Sequence, residues 1–139
     1  MPLFKLIIKM TTEEKQLLIK DLCARLPYHD LWVQYYNKDW LAIGYGHERI
    51  ELLSSIFSSV TGPCPLIDEI KPYLRLMSSM TEEEAAEFEI LSDKLLLEAD
   101  NTKIWNSVID WLNEHHFDHR GLIEMGLALE APVDMYKTE

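Results

Sequence analysis

At 139 residues, 47% of them apolar, the chain is long enough to bury one hydrophobic core and too apolar to be globally disordered. With 24 acidic against 13 basic side chains it carries a formal charge of −11, which repels phosphate backbones and anionic membrane surfaces. Direct binding to nucleic acid or membrane is therefore disfavoured, and a basic protein surface is the natural electrostatic partner.

In chain order, residues 1–9, MPLFKLIIK, read as an extension or a short edge strand, with no small-residue cleavage site after them. Thr11 and Glu14 have capping-box spacing. Leu18, Leu22, Cys23 and Leu26 then recur at helical spacing and predict a helix that Pro27 ends, with Cys23 reduced and buried on its apolar face. Residues 31–36 and 40–45 are rich in aromatic and branched side chains, and Asn37-Lys38-Asp39 supplies turn chemistry between them. A β-hairpin is predicted, with a bulge or strand exit at Gly44 and Gly46. Residues 49–60 favour a third strand, although Ile50, Leu53 and Phe57 also fit a helical stripe. The TGPCP loop at 61–65 leaves Cys64 as the exposed thiol, and 66–77 reads as short extended or turn structure broken at Pro72.

Thr81 and Glu84 repeat the capping-box spacing, and Phe88, Leu91 and Leu95 form the buried stripe of a second helix. Asp100-Asn101-Thr102 caps a third, with Ile104, Val108, Trp111 and Leu112 inside and Trp105 beside them. It is expected to end near Phe117, with Gly121 just beyond as terminator. Leu122, Ile123, Leu127 and Leu129 predict one more short helical piece before Pro132, and 133–139 are expected to fray. The sum is a single α+β domain over 1–139: an N-terminal helix, a small antiparallel β-hairpin or meander, and C-terminal helices. No apolar run is long enough to span a bilayer, and two cysteines outside any C-x-x-C motif fit a reducing, cytoplasmic compartment.

The stretch HHFDHRG, residues 115–121, resembles part of a metal site. His116-Phe117-Asp118-His119 is similar to the second half of the H-x-H-x-D-H motif of metallo-β-lactamase-like hydrolases, in which Asp118 and His119 would be ligands. Here Glu114 stands at the first histidine, the preceding segment is helical, and only 20 residues follow His119. The match is therefore not that family's. A private site remains, since His115 and His119 are spaced i, i+4 and Asp118 adds an oxygen ligand. Against it stands a polar helix C-terminus, where a protonated histidine favours the helix dipole. That reading carries more weight, so no metal and no cofactor is assigned. No G-x-S-x-G, P-loop, dinucleotide or H-E-x-x-H motif occurs.

Trp32, Tyr35, Tyr36, Trp40 and Tyr45 cluster in the hairpin. Strand alternation sends Trp32, Gln34 and Tyr36 to one face and Leu31, Val33 and Tyr35 to the other, so both faces carry aromatics. Either both are covered, by helices and by a loop or neighbouring subunit, which carries more weight, or one is an exposed patch suited to a partner. Residues 80–100 carry eight acidic side chains, Glu83 and Glu87 among them, against Lys94 alone. Such a tract is ordinarily a solvated helix face, but it also imitates phosphate spacing.

Three stretches, MTTEEKQLLIKDLCARLPY, IKPYLRLMSSMTEEE and WLNEHHFDHRGLIEMGLALEAP, together resemble a set of short acidic proteins of unknown function encoded by gut bacteria and their phages or mobile elements. The resemblance covers both ends of the chain and leaves the hairpin variable. It implies an intracellular accessory role and brings no activity, cofactor or catalytic residue. Three functions follow in order of weight. The first is a non-enzymatic cytoplasmic protein that binds a protein partner through the aromatic hairpin and the acidic helix. The second is an acidic mimic of nucleic acid that inhibits a DNA- or RNA-binding enzyme. The third is a small metal-dependent enzyme using His115, Asp118 and His119.

Overall fold

The structure is a computed structural model that describes residues 10–28, 30–47, 49–54, 62–97 and 102–136, the side chains of 95–97 excepted. The expected edge strand in 1–9, the end of the third strand at 55–60, the stripe position Leu95, the cap residues Asp100 and Asn101, and the tail end 137–139 lie outside the described residues.

Helix α1 (Thr12–Arg25) begins at the expected capping box. The Thr11 hydroxyl accepts from the Glu14 amide at 3.0 Å, and the Glu14 carboxylate accepts from the Thr11 amide at 2.9 Å. Its inward face is Leu18, Asp21, Leu22 and Arg25. Cys23, expected inside, is exposed. One residue past Leu22 is about 100° around the helix, and the place assigned to the thiol is taken by two charged side chains that pair with each other.

The described residues form a five-stranded mixed sheet in the order β3-β2-β1-β4-β5. Its strands are β1 (Trp32–Tyr35), β2 (Lys38–Gly46), β3 (Arg49–Leu53), β4 (Lys71–Leu74) and β5 (Leu129–Glu130). The first four pair antiparallel, and β5 runs parallel to β4. The hairpin turn is Tyr36-Asn37, both at positive φ (51° and 59°), rather than Asn37-Lys38-Asp39. The two-residue connection matches the twist of the flanking strands only with both residues left-handed. In β2 the register shifts between Ala42 and Gly44. The extra residue restores Tyr45 to the core side that alternation would have denied it.

β4 carries Pro72, which the sequence reads as a break. The strand tolerates it because its two halves serve different neighbours. Lys71 and Pro72 pair with β1, while Tyr73 and Leu74 pair with β5. The proline thus sits where β4 has a partner on one side only. The last short helix is replaced by turns and a strand. The Leu127 amide closes on the Leu122 carbonyl at 2.9 Å, Gly126 turns the chain at φ +80°, and the chain then enters β5. Leu122, Leu127 and Ala128 are buried, so their spacing serves a turn that plugs the core.

Residues 62–66 run along the outer edge of β3. The Ile50 and Leu52 amides donate to the Pro65 and Pro63 carbonyls at 2.9 and 3.3 Å, and the Gly62 amide returns to Leu52 O at 2.7 Å. Gly62 is fixed by close approach: a Cβ there would lie 2.8 Å from Leu52 O and 2.9 Å from the Trp40 ring. Gly62→Ala is expected to lower stability by about 1–3 kcal/mol through this overpacking, read as a shift of the urea midpoint. An unchanged midpoint would mean that the segment is not held against β3.

Two cores result. Leu18 and Leu22 of α1 pack with Leu31, Val33, Ile50, Leu52 and Leu74 on one face of the sheet, closed by Leu122 and Leu127. Burying a side chain of this size contributes about 1.5–3 kcal/mol. Helices α2 (Glu82–Leu97) and α3 (Thr102–Glu114) build the second around Val108, Trp111, Leu112 and Phe117, with Phe88 and Leu91 against them. Helix α3 does not wait for Gly121. His116, at φ +60°, ends it as the left-handed residue, with its amide on Asn113 O and the Phe117 amide on Leu112 O. This turns the wholly buried Phe117 ring back under the helix.

Candidate functional site

The hairpin places its aromatics unevenly. Tyr35, Trp40 and Tyr45 are half-buried against the α1 side of the sheet. The Trp40 indole N–H donates to Tyr35 O at 3.2 Å, and Lys38 Nζ lies 5.1 Å from the centre of the Trp40 ring. Trp32 is half-buried on the opposite face, as alternation requires. Tyr36 leaves the alternation because it occupies the turn. It is 80% exposed, with its ring centre 4.6 Å from that of Tyr35. Thus four of the five aromatics serve packing to some degree, and Tyr36 stands out into solvent at the tip.

The far sheet face is tied by polar contacts. Tyr73 Oη donates to Asp39 at 2.7 Å and accepts from Gln34 Nε2 at 3.3 Å. Residues 133–136, expected to fray, instead lead to a buried phenol. Tyr136 Oη accepts from the Trp32 amide at 2.7 Å and donates to Tyr73 O at 2.9 Å. Burial raises this phenol well above its ordinary value.

The histidine-rich turn does not bring its candidate ligands to a common point: among the described residues no group of three His, Cys, Asp or Glu side chains is placed to hold a metal ion. His115 donates through Nδ1 to Trp111 O at 2.8 Å, and its ring lies tilted against the Trp111 ring with centroids 4.2 Å apart. Asp118 accepts from the Leu122 and Ile123 amides, both at 2.9 Å, and so organises the following turn. His119 Nε2 donates to the buried Asn113 Oδ1 at 2.8 Å. Burial, with Arg25 and Arg120 nearby, pushes His119 down to about 4, so it is neutral at pH 7. A cationic histidine is thus disfavoured at this position, first because the ring is buried and then because two guanidinium groups already supply positive charge.

Among the described residues two charge clusters underlie this region, the first buried and the second part-buried. Asp21 and Arg25, each 0% exposed, form a bidentate pair at 2.8 and 3.0 Å, and Arg25 Nη2 also donates to Phe117 O at 2.6 Å. Arg75 grips Glu84 through both nitrogens, at 2.8 and 2.6 Å, and lies 4.1 Å over the Phe117 ring. Glu84 also closes its capping box with Thr81. The Arg75 guanidinium, aided by the Thr81 amide, holds this carboxyl below the usual carboxylate range, although burial acts the other way. Glu84 is therefore not part of the acidic surface. Glu83 and Glu87 are exposed, but Glu87 accepts the Trp111 indole N–H at 3.2 Å.

Sequence reasoning named Tyr36 and the acidic face among its candidates, and it did not single out Arg25, Arg75 or Tyr136. The i, i+4 spacing of Asp21 and Arg25 was the available signal for the first; no local signal marks the other two. The chain matches no known protein family, no curated protein and no solved structure.

Proposed function

We propose that this protein is a non-catalytic module that binds a protein partner through the hairpin tip, with Tyr36 at the centre of the contact. One observation carries the reading: a large aromatic side chain is 80% exposed on a residue held at φ +51°. A left-handed backbone costs a side-chain-bearing residue about 1–2 kcal/mol, and turns of this type favour Asn, Asp or Gly. Tyr36 thus bears backbone strain without burying its ring, and strain retained at an exposed position points to function. Tyrosine offers wide amphipathic contact at small entropic loss.

The partner surface is basic, because the chain carries −11 and the α2 carboxylates at Glu83 and Glu87 face outward. Among the described residues no helix is long and apolar enough to cross a membrane. We place the encounter in the cytoplasm, where two unpaired thiols are at home. The acidic-mimic reading draws on the same carboxylates, but the engagement of Glu84 and Glu87 leaves it less to work with.

Capture by immobilised protein tests this. Wild type is expected to retain a polypeptide that Tyr36→Asn does not, and that Glu83→Lys with Glu87→Lys retains less well at low salt. Tyr36→Asn should be no less stable than wild type in urea, with a gain of up to about 1 kcal/mol from the relieved backbone. Equal retention by Tyr36→Asn and wild type would sink the proposal.

A further inference from the structure

We infer that residues 131–136 form a strap that opens without unfolding the rest of the protein, with the Tyr136 hydroxyl as its pin. β1 and β4 pair at two positions, Val33 with Pro72 and Gln34 with Lys71. The next rung would set Trp32 against Tyr73. In its place sits the Tyr136 hydroxyl, taking the Trp32 amide at 2.7 Å and donating to Tyr73 O at 2.9 Å, with Trp32 O at 3.4 Å. A side chain from the end of the strap thus substitutes for a backbone ladder bond. The Tyr136 ring rests 4.5 Å from the ring of buried His116.

Pro132, Val133 and Asp134 of the strap are exposed. Pro132, Asp134 and Met135 line an open depression together with Trp32 and Asp39. A second depression lies between the strap and Arg75, Ser79, Thr81 and Glu84. Val133 is 95% exposed. The Ala131 amide on Leu74 O, at 2.7 Å, is the natural hinge, and the Met135 amide bonds within the strap to Pro132 O. Beyond Ala131, among the described residues, the hydrogen bonds tying the strap to the sheet all pass through the Tyr136 hydroxyl. A segment with few contacts and one anchor belongs to the low-stability end of a fold. Opening lifts Pro132 and Met135 away from Trp32, presenting an indole and the bare Trp32 N–H on the face opposite α1. This device is separate from the hairpin tip and does not depend on it.

Native-state hydrogen exchange of the whole chain at low urea tests this. The Trp32 and Met135 amides are expected to exchange through an opening nearly independent of urea, while Leu22, Val33 and Leu74 exchange with the steep urea dependence of global unfolding. If Trp32 and Met135 share that steep dependence, the strap is part of the core and the inference falls. In Tyr136→Phe, Trp32 exchange should rise at least about tenfold, the effect of losing one buried hydrogen bond, with Leu74 protection kept. An unchanged Trp32 rate, or a variant that does not fold, overturns the assignment of a releasable pin.

Discussion

Asp21→Ala is expected to destabilise the protein by about 3–5 kcal/mol, the range for removing one partner of a buried ion pair. Both side chains are 0% exposed. Arg25 Nη1 has no hydrogen-bond partner among the described residues, so without the carboxylate the guanidinium retains the Phe117 carbonyl alone. Arg120, 3.7 Å from Asp21, loses its counter-charge as well. The double variant Asp21→Leu with Arg25→Met removes the stranded charge and should recover more than half of the loss, since apolar replacement of a buried pair is often near neutral. Urea unfolding of the three proteins decides the matter. A loss under about 1 kcal/mol for Asp21→Ala would mean that water reaches the pair.

Arg75→Ala is expected to cost about 3 kcal/mol and to change the acid response of the fold. The variant loses two charge-assisted hydrogen bonds and the stack on Phe117, at about 1.5–3 and 0.5–2 kcal/mol in isolated cases, and these are not additive. The folded Glu84 carboxyl titrates below its ordinary 4.5. Its contribution is complete above that value and is lost as pH falls through the folded value. His119 titrates at about 4 when folded against 6.5 ordinarily, so its contribution is full above 6.5 and declines as pH falls towards 4. Wild type should therefore weaken in two stages, first from about pH 6.5 to 4 and then further below 4.5. In Arg75→Ala the second stage should flatten while the first persists. A second stage unchanged in that variant would remove Glu84 from the account. The measurement is the urea midpoint as a function of pH.

The parts of the fold legible in the sequence were those encoded within a few residues. Both capping boxes form as spaced, because a hydroxyl and a carboxylate three positions apart meet only at a helix start. The hairpin strands were legible by alternation, yet the turn was placed one residue late, since tyrosine gives no warning that it will adopt φ +51°. The parallel β5 and the Tyr136 contact join parts of the chain far apart in sequence, and a single sequence carries no pairing signal over that distance. The acidic tract at 80–100 was read as ordinarily solvated, and Asp21 and Arg25 were not singled out. Asp21, Arg25 and Glu84 are buried because each finds a partner of opposite sign with bidentate geometry. Spacing alone also suggested a joint role for His115 and His119; their separate acceptors, Trp111 O and Asn113 Oδ1, draw the rings to different places.

The strip at 62–66 bears on how copies of this protein behave at high concentration. A bare strand flank invites the β-strand of another molecule to join it, the first step of fibril growth. Here, among the described residues, the β3 flank is occupied by the 62–66 segment, whose Pro63 and Pro65 carbonyls already accept the Leu52 and Ile50 amides. Those two β3 amides are therefore not available to pair with a newcomer. At the other end of the sheet, among the described residues, the last strand is β5, which is only two residues long and offers little length for pairing.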